Sequence, residues 1–177
     1  MDEHATTIAG IVIPSTSPLF LAIVAAHVLI ALVAVIAGAA AMRSVKGPGL
    51  HARFGTLYVW ALLGAWMSAS ALAVLRWRQD WHLFLIGLFA CVSALVARRA
   101  VRGARRGARV HLVGMACSYV LLLVAFYVDN GPQLPLWRAL PPPAHWLIPS
   151  AVGALVAVRA FLRHPLTRRR PDGSGVK

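Results

Sequence analysis

Residues 18–42 read PLFLAIVAAHVLIALVAVIAGAAAM, and His27 is the only ionisable side chain among them. A helix rises about 1.5 Å per residue, so about 20 apolar residues cross the ~30 Å hydrocarbon core of a bilayer. The stretch is long enough to cross, and it sets the class of the protein. Four more segments meet or approach that length: Phe54–Leu75, the shorter Trp81–Ala97, Val110–Val128, and His145–Leu162 with Pro149 in its second turn. The expected fold class is all-α, an integral membrane bundle of five transmembrane helices. A short outer segment, residues 1–17, precedes a membrane domain over 18–163. A polar, basic tail over 164–177 is expected to be disordered.

Composition agrees with this reading. Of the 177 residues, 59% are hydrophobic and 13% charged, and the mean hydropathy is +0.72. A soluble fold of this length could not hide so much apolar surface. The net charge of +13 would suggest nucleic acid in a soluble chain. Here fourteen of the 18 Lys and Arg fall on one side of the spans, in the stretches 43–53, 98–109 and 163–177. Only Arg76, Arg78 and Arg138 fall on the other, while Asp2, Glu3, Asp80 and Asp129 share that sparse side. The positive-inside rule then predicts the N-terminus outside and the C-terminus in the cytoplasm. The Arg98–Arg109 cluster becomes a topology signal that meets anionic lipid headgroups, with no nucleic-acid partner expected. Trp77, Trp81, Trp137 and Trp146 map to the outer interface, and Trp60 and Trp66 read as packing residues within the second span.

The N-terminus lacks the basic region of a cleaved signal peptide, so the first span is expected to be retained. Small residues recur four apart: Ala34 and Gly38, Gly64 and Ser68, Gly87 and Cys91, Gly114 and Ser118, Gly153 and Ala157. That spacing lets helices approach closely in lipid. The segment 129–144, DNGPQLPLWRALPPPA, holds five prolines and cannot form a regular helix. It reads as an extended segment on the outer membrane surface, either a rigid connector or a lid.

Seven histidines are many for a chain this poor in polar groups. His27 sits nine residues inside the first span, at roughly 13 Å depth by helical rise. His51 and His111 stand at the cytoplasmic starts of the second and fourth spans, at one depth on helices read as antiparallel neighbours. His82 and His145 stand at the outer starts of the third and fifth. His4 and His164 lie in the tails. An ionisable side chain within a span is a functional-site hypothesis by default. Axial imidazoles on facing helices hold haem iron, so two same-depth pairs suit two haems, or one haem and a metal site. His27 and His111 differ in depth by roughly 15 Å or more and cannot share one iron. His111, Met115, Ser118 and Tyr119 form one helical stripe, and His51, Gly55 and Tyr58 another. Copper or zinc is the alternative use of the imidazoles. Cys91 and Cys117 read as buried small hydrophobes without a disulfide. There is no Ser/His/Asp arrangement, glycine-rich phosphate loop or carboxylate pair in the sequence, so hydrolysis and phosphoryl transfer lack machinery.

The stripes also carry a resemblance. His51 opens H-A-R-F-G-T-L-Y, and His111 opens H-L-V-G-M-A-C-S-Y-V-L-L-L-V-A-F-Y-V-D-N-G-P-Q-L-P-L-W. This resembles the bacterial family of small membrane proteins catalogued as domain of unknown function 2306, over roughly the first to the fifth span. In that family three features recur: a His in the first span, an H-R-x-x-G-x-x-Y-like motif and an H-x-x-x-M-x-x-S-Y-like motif. Here they fall on His27, on His51 with Gly55 and Tyr58, and on His111 with Met115, Ser118 and Tyr119. Ala52 stands where an Arg often follows the first motif's His. The resemblance implies a multi-span protein of the bacterial inner membrane.

Three functions remain open on the residues. One is a haem b-binding transmembrane electron carrier using His27, His51, His111, His82 or His145, with Met115, Tyr58 and Tyr119 alongside. Another is an assembly factor that hands copper or haem to a membrane partner. The third is a non-catalytic membrane subunit or small-solute permease.

Overall fold

A computed structural model describes residues 6–8, 11–13, 17–100 and 105–163. The expectations for the tail 164–177, and for His4, His164 and Arg102, lie outside the described residues. A small antiparallel hairpin, β1 (Thr6–Ile8) with β2 (Ile11–Ile13), pairs Thr6 with Ile13 and Ile8 with Ile11. The described residues after it form helices and the short turns that join them. The helices are α1 (Pro18–Arg43), α2 (Leu50–Leu75), α3 (Trp77–Ala100), α4 (Arg105–Asn130) and α5 (Pro142–Arg163).

Among the described residues four helices are long and apolar enough to cross a membrane: α1, α2, α3 and α4 with the short turn after it. The chain is thus a multi-pass membrane protein built as a helical bundle. Their boundaries follow local chemistry. Pro18 opens α1, where a missing N–H costs nothing. Gly47 and Gly49 turn the chain between α1 and α2 with φ of 142° and 130°, a region that favours glycine. The third span is not short: α3 takes in a further turn at its start and three residues at its end. Only Arg76 separates it from α2.

The proline-rich segment 129–144 is not extended, contrary to expectation. It folds into two 3₁₀ turns, Gly131–Gln133 and Trp137–Ala139, and α5 then begins at Pro142. Proline fixes φ near the helical value, so proline-rich sequence suits both the turns and a helix start.

α1 packs along α2 and α3 along α4, while α2 meets α3, α4 meets α5, and α1 touches α4 lightly. The core is made of small side chains: Ala34, Ala37, Ala90, Ala94 and Ala97 are all buried, together with Tyr58, Val59, Leu62 and Cys91. Leu29, Leu32 and Ile36 of α1 are exposed, as an outer face bathed in lipid requires. With apolar groups on both sides of each helix, close van der Waals packing replaces the hydrophobic effect as the force that joins them. Gly38 shows how close: a Cβ there would lie 2.5 Å from Cε2 of Tyr119 and 3.0 Å from Cδ2 of Tyr58. Trp66 packs inward as expected, its Nε1–H donating to the Phe84 carbonyl across 3.2 Å. Trp60 instead is 66% exposed, since its position on α2 faces away from α1 and α3. Cys91 is buried and Cys117 exposed, both as free thiols, which corrects the reading of two buried cysteines.

Candidate functional site

The structure brings His51 and His111 together. Their ring centroids lie 6.2 Å apart with the ring planes at 79°. The helices that carry them are parallel, not antiparallel. Two successive hairpins necessarily point α2 and α4 the same way, and the contacts record it. His51 meets His111, and seven residues further along both chains Tyr58 meets Ser118, with Tyr58 Oη 2.6 Å from Ser118 Oγ. Both contacts join residues sixty apart, a constant offset that only parallel helices in register can give.

Each ring is fixed by its own hairpin. His51 Nδ1 lies 2.9 Å from the Ala41 carbonyl at the end of α1. His111 Nδ1 lies 3.1 Å from the Ala97 carbonyl at the end of α3. A carbonyl can only accept, so Nδ1 carries the proton on both rings and Nε2 keeps its lone pair in the neutral form. Donation from Nδ1 to a carbonyl is also how ligating histidines are commonly held. Lys46, between α1 and α2, donates to the same Ala41 carbonyl at 3.2 Å and to Met42 at 2.9 Å. Partial burial there holds its ammonium below the usual lysine range.

His27 follows the same pattern on a different pair of helices. Its Nδ1 lies 3.1 Å from the Ala65 carbonyl and 3.0 Å from Ser68 Oγ. Ser68 in turn donates to Gly64 and Ala65, so its oxygen accepts from His27. Ala41, which marks the depth of His51, lies fourteen residues beyond His27 on α1, about 20 Å along the axis. His27 is therefore remote from the His51–His111 pair.

The histidines at the opposite end of the bundle, His82 and His145, are engaged separately. His145 is 5% exposed and donates from Nε2 to the Trp137 carbonyl at 3.0 Å. Its ring packs on Gly131, where a Cβ would come within 3.0 Å, and lies 6.2 Å from the Trp137 indole. Trp137 stacks in turn on Tyr127 at 4.2 Å. His82 lies against a different indole, that of Trp146, at 5.8 Å. Asp129 and Asp80 are electrostatic neighbours near this end, and Asp80 pairs with Arg76 at 3.7 Å.

Of the other candidates, Tyr58 and Ser118 are fully buried and bonded to each other. Tyr119 donates to the Val35 carbonyl at 3.2 Å, and its ring lies 6.0 Å from that of Tyr58. Met115 packs against the small-residue core. Gly55 has open space beside its Cα. Among the described residues no three His, Cys, Asp or Glu side chains gather as a metal site. Sequence reading missed Gly114, one turn beyond His111, where a Cβ would stand 2.8 Å from the Ala97 Cβ. Its only signal was the small-residue spacing with Ser118.

No protein-family model matches the chain, and no curated protein or solved structure is significantly similar to it.

Proposed function

We propose that this multi-pass membrane protein is an electron carrier that holds haem b between His51 and His111. The observation behind the proposal is the spacing of the two rings. Metal–imidazole bonds are short, about 2.0–2.1 Å, so two side chains that share one metal must lie close together. The centroids of the His51 and His111 rings stand 6.2 Å apart. The macrocycle itself supplies four nitrogens, so two side chains complete the iron's coordination, whereas a bare structural zinc takes four protein ligands. Haem would supply reversible one-electron chemistry. The chain's own work is to present two Nε2 lone pairs, with each ring's orientation set by its bond to Ala41 or Ala97. Lys46 and the arginines that flank this end favour an anionic group beside it.

The wider setting belongs to the same reading. α5 serves as the fifth span, with the N-terminus outside, the Arg-rich stretches in the cytoplasm against anionic headgroups, and the bacterial inner membrane as the location. The family is that of domain of unknown function 2306. His27, His82 and His145 lie outside the haem pair in this account.

The test is direct. The protein is expressed with haem precursor supplied, purified in detergent, and its absorbance recorded oxidised and reduced, with elemental analysis of the same sample. A Soret band and reduction-sensitive bands with one iron per chain support the proposal. Copper in place of iron, held by the same pair, replaces it with a copper-handling factor. A colourless, metal-free protein sinks it in favour of a non-catalytic subunit or permease.

A further inference from the structure

We infer that Gly114 is a positioning residue for His111, because the absence of a side chain there is what brings the Ala97 carbonyl to Nδ1. The two contacts fall on one residue of α3. A Cβ at Gly114 would lie 2.8 Å from the Ala97 Cβ and 3.0 Å from the Ser93 carbonyl oxygen. The Ala97 carbonyl accepts from His111 at 3.1 Å. Ala97 Cβ and Ser93 O are fixed to the α3 backbone, so neither can swing aside as the end of a flexible side chain can. Ordinary carbon–carbon contact is about 3.5–4.0 Å, so an added methyl pushes Ala97 away by roughly 1 Å. The hydrogen bond would stretch past about 3.5 Å and cease to be one. His111 would then be free to place its proton on Nε2, the atom that a ligand needs bare.

Gly55 is the matched control. It stands four residues after His51 as Gly114 stands three after His111, yet nothing lies within 4 Å of where its Cβ would be. The same substitution thus meets a wall at one site and open space at the other.

The inference rests on the haem reading for its purpose, but its primary test does not need haem. Nitrogen-15 spectra of histidine-labelled protein, free of haem, report which ring nitrogen carries the proton. The unaltered chain is expected to show His111 with the proton on Nδ1. Gly114→Ala is expected to shift His111 alone toward the Nε2-protonated form, with His27 and His51 unmoved, and Gly55→Ala to change nothing. Gly114→Ala combined with Ala97→Gly removes the 2.8 Å clash, keeps the 3.0 Å approach to the Ser93 oxygen, and is expected to return His111 part of the way to the parent spectrum. If Gly114→Ala alone fails to fold, the double variant supports the close approach by recovering fold and the Nδ1 tautomer, and a folded double variant with His111 on Nε2 overturns it. An unchanged His111 in a folded Gly114→Ala protein also overturns it. Haem titration of the same variants forms a separate arm. Loss of a partner that orients a ligating His weakens binding about 10- to 100-fold, and that is the loss expected for Gly114→Ala and relieved in the double. A tautomer shift with no haem bound by any form would overturn the haem reading and leave the positioning role standing.

Discussion

At the end of the bundle where α2 and α4 begin, His51 and His111 use Nδ1 on backbone carbonyls and stand 6.2 Å apart. At the opposite end His145 uses Nε2 on the Trp137 carbonyl and buries its ring against Gly131, while His82 lies on Trp146. In the sequence the four form two equivalent pairs. His51 and His111 differ from His145 in which nitrogen is committed. A ring tied through Nδ1 leaves its Nε2 lone pair uncommitted and so available to a ligand. A ring tied through Nε2 has its outward atom occupied and acts as a strut, here pinning two 3₁₀ turns to the start of α5. The nitrogen committed, more than depth or residue type, separates His51 and His111 from His145.

Substitutions can break this contrast at either end. The largest effect is expected from His51→Ala and His111→Ala. Each should remove bound haem entirely, while His145→Ala should leave the haem content of the purified protein unchanged. Equal losses from all three would erase the distinction.

Next comes the tie that keeps α2 and α4 in register. Tyr58→Phe leaves the buried Ser118 hydroxyl without its 2.6 Å partner, at a cost of about 1–3 kcal/mol. Unfolding in detergent should show it, and adding Ser118→Ala should return part of the loss, because an absent hydroxyl needs no partner. A double variant worse than the sum of the singles would count against the bond.

At the opposite end His145→Ala removes one hydrogen bond and a packed ring. Amide exchange over residues 131–140 should speed up about tenfold, for roughly 1.4 kcal/mol of local stability. Exchange that rises equally at the starts of α2 and α4 would show that the strut is not local.

Lys46→Met should matter least. It takes a cation from the carbonyls that end α1, worth about 0.3–1 kcal/mol. The His51 bond to Ala41 is expected to survive it, as nitrogen-15 spectra of labelled histidine would report.

Much of the fold is legible in the sequence. Uninterrupted apolar runs place α1, α2 and α4 to within a few residues, because in lipid the backbone must satisfy itself along each segment. The ends are less legible. Trp77 to Asp80 read as flanking loop, yet continue α3, since helix geometry satisfies their amides better than a turn of one residue could. The prolines of 129–144 keep a regular α-helix out of 131–141 but not out of 142–144, where α5 begins, and they do not reveal the 3₁₀ turns, which pack on His145.

The site is legible in part. Shared depth singles out His51 with His111, because the alternation of spans puts both at the same face. It also dictates parallel helices, and the antiparallel reading neglects that alternation. What depth cannot supply is rotation about each helix axis. That angle decides that His111 finds Ala97, that Cys117 and Trp60 face outward, and that His82 and His145 turn to different indoles. It arises from contacts such as Gly38 against Tyr119 and Gly114 against Ala97, each between residues on different helices.

The central claim is that His51 and His111 together would hold one haem iron, and electron paramagnetic resonance of the ferric protein tests it most directly. Two imidazoles would hold a bound haem iron low-spin. The account predicts a low-spin signal from the unaltered protein, lost on substitution of either histidine. A high-spin signal from the unaltered protein, or a low-spin signal that survives His51→Ala or His111→Ala, would contradict it.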